Sequence, residues 1–434
     1  MPGRNPAIAS GGLDASGESA RRIEQSSMPQ PLLGYRIADF SHVMAGPFCT
    51  HFLCMLGAEV VKVESPGGDA MRTYGPFREW DGVAPAFVAA NAGKKSIALD
   101  LKRTEGLEIA SRLIRQSDVV VENFRPGVMQ RLGLGYEACR QLRPGLVFCS
   151  ISGYGQTGRL RDYPAIDNIV QATSGMMSAN GDEGDPPSRV GWPVVDTYTG
   201  TLGALAILAA LLQRERFGDG QYIDVAMLDA SIVMLTSLVT PYLMTGQTMP
   251  RTGDTGYSGA PTAGMYVTRD GSRISLGVVQ NNQFAALCRC INRPELIEDP
   301  RFISPVTRAQ PQHAAVLRAL MTEILATRDG ADWEQLLNTH GAPCGLVRDV
   351  AQAAIIARDG GRNLIMPVAV PRSDGRTAQA AAVNAGFVFA TDGPDASGVV
   401  PKLGEHSREI LLQLGFSEVE ADRFHAAHVV RSPT

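Results

Sequence analysis

Tyr35-Arg-Ile-Ala-Asp-Phe40 and Glu59-Val-Val-Lys-Val-Glu64 are two short, mostly apolar runs, each bounded by turn residues. Similar runs recur at 96–100, 118–121 and 146–151, and helical patterns lie between several of them, at Glu105–Gln116 and Tyr136–Leu142. Strands that alternate with helices are typical of a parallel sheet covered by helices on both faces. The sequence therefore predicts an α/β fold with a doubly wound, Rossmann-like parallel sheet.

The pattern changes in the second half of the chain. Gln221–Ala226 predicts one more strand, and Met227–Met244 predicts one long apolar helix before a Gly- and Thr-rich loop. Two strand-like runs then flank the turn Asp270-Gly271, which is typical of a β-hairpin. We therefore expect a large α/β domain followed by a linker and a smaller α+β domain, with approximate bounds 31–226, 227–250 and 251–352.

Composition limits the class of protein. The formal net charge is -4 and no long Lys/Arg run occurs, so nucleic acid is not an expected partner. The longest uncharged apolar segment, Thr201–Leu212, is too short to cross a bilayer, so we expect a buried helix and no membrane contact. The 7 cysteines are an odd number without a metal-binding spacing, which predicts reduced thiols, no metal site and a cytoplasmic location. Residues 1–30 lack an apolar signal core and are expected to be disordered.

One acidic residue stands at the start of the longest apolar segment. The chain reads Val194-Val-Asp-Thr-Tyr-Thr-Gly200 and then runs without a charge to Arg214. An Asp where a helix begins is usually an N-cap, and the free N–H groups and the helix dipole would hold it as a carboxylate. Asp196 is therefore either a structural cap or a carboxylate placed for chemistry.

Several segments together resemble one enzyme family, the class III coenzyme A transferases, which include formyl-CoA transferase and carnitine CoA-transferase. The resemblance begins with Ala38-Asp-Phe-Ser-His-Val-Met-Ala-Gly-Pro47 and the strand 59–64, and it covers about 31–430 in order. The other segments that carry it are 91–100, 118–127, 152–158, 167–175, 194–200, 341–345 and 403–406. The resemblance implies that 353–434 return to complete the large domain, and that two chains interlock as a homodimer.

The resemblance also implies a reaction and a nucleophile. Class III enzymes move coenzyme A from an acyl-CoA to a carboxylic acid, through an anhydride and a thioester formed on an Asp side chain. Asp196 aligns with that residue, and covalent catalysis by a carboxylate needs no metal and no permanently bound cofactor. Acyl-CoA and the acids are then the substrates.

Residues that match the family's coenzyme A contacts are spread over several turns. Arg72 and Lys102 are candidates to pair with phosphates, as Arg and Lys commonly do. His42, beside the first turn, is more often structural than catalytic. The full set that the resemblance assigns to coenzyme A is Met44, Ala45, Arg72, Leu99, Asp100, Leu101, Lys102, Asn123, Phe124, Arg125, Arg131, Ile166 and Asp167.

Three departures from the formyl-CoA transferases bear on the substrate. Those enzymes place Gln at Met44, Arg at Ser65, and a run of Gly in the segment 255–261. Because the Gln and the Gly run serve oxalate chemistry, we do not expect an oxalate enzyme. The loop is expected to cover the reacting group through the small or flexible residues Gly256, Tyr257, Ser258 and Gly259.

Two other functions compete with transfer. The α-methylacyl-CoA racemases resemble this chain too, but they place a proton-exchanging His where this chain has Ile166. The second is a non-catalytic acyl-CoA-binding protein, which only an activity assay distinguishes. Among transferases, we expect a carboxylic acid acceptor such as a dicarboxylate, with succinyl-CoA as the favoured donor.

Overall fold

The structure, a computed structural model, describes residues 30–74, 83–372 and 374–431. The predicted disordered extension 1–30 therefore lies, apart from Gln30, outside the described residues. Within them the strands are β1 Arg36–Asp39, β2 Glu59–Glu64, β3 Lys95–Leu99, β4 Val119–Glu122, β5 Val147–Ser152, β6 Tyr222–Ala226, β7 Met265–Val267, β8 Arg273–Leu276, β9 Cys344–Leu346, β10 Ile365–Pro371, β11 Thr377–Val383, β12 Gly398–Val399 and β13 Val430–Arg431.

The helices follow the apolar periodicity of the sequence. In the predicted helix at 105–116, for example, Ile109, Leu113 and Ile114 recur at helical spacing and are buried. The helices are α1 Ala45–Met55, α2 Pro85–Asn91, α3 Thr104–Arg115, α4 Val128–Arg131, α5 Tyr136–Leu142, α6 Asp167–Thr173, α7 Met176–Ala179, α8 Val194–Phe217, α9 Met227–Met234, α10 Thr236–Thr245, α11 Asn281–Cys290, α12 Pro305–Arg308, α13 Pro311–Leu325, α14 Gly330–Thr339, α15 Val350–Asp359, α16 Ser407–Gln413 and α17 Glu418–Ala426.

The main sheet has seven strands in the order β13-β3-β2-β1-β4-β5-β6. The six strands β1 to β6 pair in parallel, and β13 adds an antiparallel edge next to β3. Because the chain winds outward from β1 in both directions, the order reverses between β1 and β4. This is the doubly wound arrangement, in which ligands bind at the carboxyl ends of the strands near the reversal. The predicted α/β class with a parallel sheet is confirmed.

Helices cover both faces of this sheet. Along β4, Val119 and Val121 face a core shared with α1 and α8, while Val120 faces a core shared with α3, α5, α16 and α17. The end of the chain therefore returns to the large sheet. Gly200 and Gly203 allow α8 to lie close to α1, since a Cβ on Gly200 would stand 2.6 Å from the Ala45 carbonyl oxygen.

Two smaller sheets follow in the second half of the chain. The predicted hairpin is present as the antiparallel pair β7–β8, and β9 completes a three-stranded sheet packed on α11, α13 and α14. The sheet β11-β10-β12 was not predicted, because its strands are short or rich in Ala and Pro. Its buried face, with Val368 and Val370, packs against α2.

Two helix predictions need correction. The single helix expected at 227–244 is two helices, α9 and α10, bent by 79°. The bend lies at Leu235, whose backbone (φ -87°, ψ 14°) leaves the helical range, and apolar periodicity does not encode such a break. Second, α8 has 24 residues and is, by length and composition, long and apolar enough to cross a membrane. In the structure it packs against α1 beside the sheet.

Candidate active site

The turns that follow β1 and β4 meet at the carboxyl edge of the sheet, where the strand order reverses. The His42 backbone N–H donates to Asn123 Oδ1 (2.9 Å), and Asn123 Nδ2 donates back to the His42 carbonyl (2.8 Å). Asn123 therefore holds the first turn, and both ends of its amide are already in use. The coenzyme A contact that the resemblance assigns to Asn123 stays a prediction, and in the structure its side-chain amide positions this turn.

The first turn is also held from its other side, in a strained conformation. Val43 has φ 67°, which is rare for a β-branched residue. Its N–H donates to the carboxylate of Asp69 (3.1 and 3.2 Å), and Asp69 is paired with the buried Lys62 (2.9 Å). These contacts fix the start of α1, including Met44 and Ala45, before any ligand arrives.

Arg72, whose role as a phosphate ligand stays a prediction, belongs to the same internal network. Its Nε and Nη2 donate to Glu64 (2.7 and 2.6 Å), and its Nη1 donates to the Pro401 carbonyl (3.0 Å). The residue is only 8% exposed. Three of its five N–H groups thus donate within the protein, and Arg72 ties Glu64 to the chain at Pro401.

Asp196 lies in the first turn of α8, but it is not the N-cap, which was one of the two roles that the sequence left open. The helix begins at Val194 after Pro193, so Asp196 is its third residue. The carboxylate that satisfies the free N–H groups comes from α6. Asp167 Oδ2 accepts from the backbone N–H of Val195 (2.8 Å) and of Asp196 (3.0 Å). Asp167 therefore caps α8 from outside, and this leaves the Asp196 side chain available for other work.

The electrostatics of Asp196 are also the opposite of the expectation. Burial and, second, the charge of Asp167 raise the pKa of the Asp196 carboxyl to about 7. The helix N-terminus was expected to hold a carboxylate, but Asp167 already occupies that position. Among the described residues no cation acts on Asp196, so its carboxylate is incompletely solvated and more reactive than one in water.

Helix packing places Asp196 near the turn that follows β1. Gly200 lies four residues later on the same face of α8 and contacts the backbone of Ala45. Asp196 is one turn nearer to the open end of α8, at the carboxyl edge of the sheet. Of the predicted contacts, Asp167 accepts the backbone N–H of Asp196 itself (3.0 Å), and the packing of α8 on α1 brings Met44 and Ala45 to the same edge of the sheet.

The other predicted contacts fall into buried and exposed groups. Leu99 is buried at the end of β3, and Asp100 Oδ1 accepts the Lys102 N–H (3.0 Å). The Phe124 ring packs on His42 with centroids 5.3 Å apart. Leu101 is half-buried and Ile166, just before α6, is exposed. The remaining predicted contacts are three exposed cations that form no ion pair among the described residues. They are Lys102, Arg125 and Arg131.

The predicted substrate loop is exposed. Within it, the Gly259 N–H donates to the Gly256 carbonyl, and the Ala260 N–H donates to Ser258 Oγ. Its base is tied to α7, because Arg251 Nε donates to the Ser178 carbonyl (2.7 Å). The role of Gly256, Tyr257, Ser258 and Gly259 over the substrate stays a prediction.

Sequence reasoning missed two buried side chains near these turns. Gln171, on α6, donates to Asp167 (2.6 Å), and their four-residue spacing on a helix is a signal that could have found it. Glu122 ends β4, and burial raises the pKa of its carboxyl to about 7. Its carboxylate accepts the Phe124 N–H (2.9 Å), so it supports the turn that follows β4.

Over the described ranges, no group of three His, Cys, Asp or Glu side chains is placed to hold a metal ion.

Comparison with known proteins identifies the family of this chain. The chain matches CoA-transferase family III over residues 32–407. It is 39% identical to the acetyl-CoA:oxalate CoA-transferase of Acetobacter aceti, over 77% of this chain and 85% of that one. It is 33% identical to the succinyl-CoA–D-citramalate CoA-transferase of Chloroflexus aurantiacus, over 93% of this chain and 98% of that one. A crystal structure of a CaiB/BaiF family protein from Brucella suis matches with a TM-score of 0.78 and 31% identity, over 89% of this chain and 100% of the other. The chain therefore belongs to CoA-transferase family III and is a CoA-transferase.

Proposed function

We propose that this enzyme moves coenzyme A from an acyl-CoA donor to a carboxylic acid through covalent intermediates on Asp196. The observation that carries the proposal is the state of Asp196. It is a half-buried carboxyl with no paired cation in the part of the chain that the structure describes, and it lies at the carboxyl edge of the sheet near the turn that follows β1. A carboxylate in such surroundings gains stability by forming a neutral acyl derivative, because the buried charge disappears.

The proposed steps balance without an added proton or electron. A carboxylate oxygen of Asp196 attacks the thioester carbonyl of the donor, the C–S bond breaks, and a mixed anhydride and coenzyme A thiolate result. The thiolate attacks the aspartyl carbonyl, the anhydride C–O bond breaks, and the donor acid leaves as a carboxylate. The acceptor carboxylate then attacks the aspartyl thioester, and the same two exchanges run in reverse. The products are the new acyl-CoA and free Asp196.

We further propose that the substrates are dicarboxylic acids, with succinyl-CoA as donor. The Chloroflexus relative is named for succinyl-CoA and D-citramalate, and another relative, from mouse, is named a succinyl-CoA:glutarate CoA-transferase. The Acetobacter relative is named for oxalate. The residue Met44 argues against oxalate here, because an apolar side chain at the start of α1 offers no hydrogen bond to so small and polar an acid.

An interlocked homodimer is proposed on the resemblance and on exposed apolar surface. α8 and the two helices that follow it expose large apolar side chains in the single chain, and contiguous surfaces of this kind mark interfaces. They include Leu205, Leu212, Phe217, Leu243 and Met244, which are 56–81% exposed.

The seven cysteines are all free in the structure, which supports the proposed cytoplasmic location.

The test of the function is a matrix of acyl-CoA donors against carboxylic acids, with products read by mass spectrometry. We expect coenzyme A to move from succinyl-CoA onto at least one dicarboxylate, and Asp196 to be modified when hydroxylamine is added with donor alone. In heavy water, a 2-methylacyl-CoA should gain no deuterium at its α-carbon, because Ile166 cannot exchange a proton. Rapid deuteration without transfer to any acid would refute the proposal in favour of a racemase. If both activities are absent, an acyl-CoA-binding protein is the remaining function.

The dimer has its own test. Native mass spectrometry should give a dimer that persists on dilution, because interlocked chains separate only by unfolding. A monomer fraction that increases on dilution to micromolar concentration would contradict the interlocked arrangement.

A further inference from the structure

Gln171 is a buried amide that uses both of its ends. It lies on α6 and is 1% exposed. Its Nε2 donates to Asp167 Oδ1 (2.6 Å), and its Oε1 accepts the backbone N–H of Val190 (2.9 Å). An amide can do this because it carries a donor and an acceptor, whereas a carboxylate of the same size can only accept. Gln171 thus ties the Asp167 carboxylate to the chain segment that leads into α8.

The bond to Gln171 determines where the Asp167 carboxylate points. With Oδ1 held by Gln171, Oδ2 faces the first N–H groups of α8, on Val195 and Asp196. Without that donor, Asp167 keeps the same position in the chain but can rotate away from the helix. The N–H groups of α8 would then be free to act on Asp196 itself, and a helix N-terminus favours the charged form of a nearby acid.

The charged groups around the first turn of α8 leave Asp167 as the group that acts on Asp196. The elements packed on α8 are α1, α6, α9, β5 and β6. The acids on α9 and β6, Asp229 and Asp224, are exposed. On α1, burial lowers the pKa of His51 to about 3, so it is neutral. Burial also raises the pKa of the thiols in this layer, which are therefore uncharged, namely those of Cys49, Cys54 and Cys149.

We propose that Gln171 is a positioning residue of this enzyme, which holds Asp167 against the start of α8 and thereby fixes the Asp196 carboxylate for attack on the thioester. The inference rests on the proposed role of Asp196 as nucleophile. It adds a buried residue that touches neither substrate nor the reacting atoms.

The test compares the full-length enzyme with Gln171→Met, which keeps the length and volume of the side chain but offers no donor. One readout is kcat against pH. The second is the labelling of Asp196 by a carbodiimide, located by mass spectrometry, which reports its protonation whether or not the enzyme turns over. In the wild type the labelling midpoint is expected near pH 7. In Gln171→Met we expect the midpoint and the acid limb of kcat to move together to lower pH. The plateau kcat should fall on the order of tenfold to a hundredfold, with the KM for acyl-CoA unchanged.

Two controls make the result specific. Ser174→Ala removes a buried hydroxyl three residues further along the same chain, which contacts the Gln171 carbonyl but not Asp167, and it should leave the midpoint in place. In an Asp167→Asn background, Gln171→Met should produce no further shift, since the two residues act through one contact. An unchanged midpoint in a folded Gln171→Met protein overturns the inference and leaves the proposed function standing. A shifted midpoint in a protein that transfers no coenzyme A would support the positioning role and reject the function.

Discussion

Two carboxylates of the large domain, one fully buried and one half-buried, have opposite surroundings. Asp39 ends β1 and is fully buried. Burial opposes its ionisation, but Lys94 and Lys62, with the hydroxyls of Ser41 and Thr50, outweigh that effect and hold its pKa below the usual range. Asp196, in the first turn of α8, is half-buried, and partial burial together with its charged neighbour Asp167 raises its pKa to about 7.

The difference shows how one fold uses the same side chain in two ways. Lys94 Nζ contacts Asp39 (3.0 Å), Thr50 (2.7 Å) and the Pro47 carbonyl (2.9 Å), so this carboxylate joins β1, α1 and the turn before β3. A charge satisfied so completely is inert. Asp196 has no such cation among the described residues, and its carboxylate is correspondingly reactive. The presence or absence of nearby cations, more than burial, therefore separates the structural Asp39 from the reactive Asp196.

The largest expected effect follows from removing the reactive carboxylate. Asp196→Ala and the isosteric Asp196→Asn should lower kcat at least about 10³-fold, because no other group can carry the acyl chain. Neither change should lower the urea midpoint of unfolding, since Asp167, not Asp196, caps α8. Steady-state kinetics and urea titrations measure both. Near-normal turnover in either variant would remove Asp196 from the mechanism.

Removing the cation from the inert carboxylate should cost stability instead. Lys94→Met leaves Asp39 buried without its main partner, and breaking a buried ion pair in this way costs about 3–5 kcal/mol of unfolding free energy. Lys95→Met is the matched control, since its exposed pairs with Glu59 and Glu409 contribute at most about 1 kcal/mol. Equal losses in the two variants, measured by urea unfolding at pH 7, would contradict the comparison.

Much of the fold was predictable from local pattern, and much of the site was not. The alternation of apolar runs and helical periods predicted β1 to β6 and the parallel sheet. The same sequence pattern could not show that α6 supplies the cap of α8, because Asp167 and Val195 are 28 positions apart and meet only through packing. For the same reason it could not show that Arg72 is used internally by Glu64. The family resemblance predicted Asp196 as the nucleophile, whereas the electrostatics of this side chain depend on tertiary neighbours.

The decrease of kcat at low pH, the acid limb of its pH profile, tests what raises the pKa of Asp196. Attack requires ionised Asp196, so kcat should fall about tenfold per pH unit below pH 7 and level off above it. Asp167→Asn removes a negative charge, which favours the ionised form of Asp196 and moves the limb to lower pH. Relative to its own plateau, the variant should retain about tenfold more activity than wild type at pH 5. If the limb stays in place, burial alone raises the pKa and Asp167 serves only as a cap.

The smallest expected effect concerns the exposed cations at the carboxyl edge. If they meet only the phosphates of coenzyme A, then Arg131→Ala should raise the KM for acyl-CoA about fivefold, the loss of roughly 1 kcal/mol, and the effect should shrink in high salt. Because Arg131 is exposed and is not among the groups that act on Asp196, the acid limb of kcat should not move. Arg140→Ala is the control, since Arg140 is an equally exposed cation on α5 near Glu137 and matches no coenzyme A contact. A KM change in both variants would indicate general attraction of the anionic substrate. A shift of the acid limb in Arg131→Ala would show that a cation reaches the nucleophile after all, and the contrast between Asp39 and Asp196 would then be one of degree.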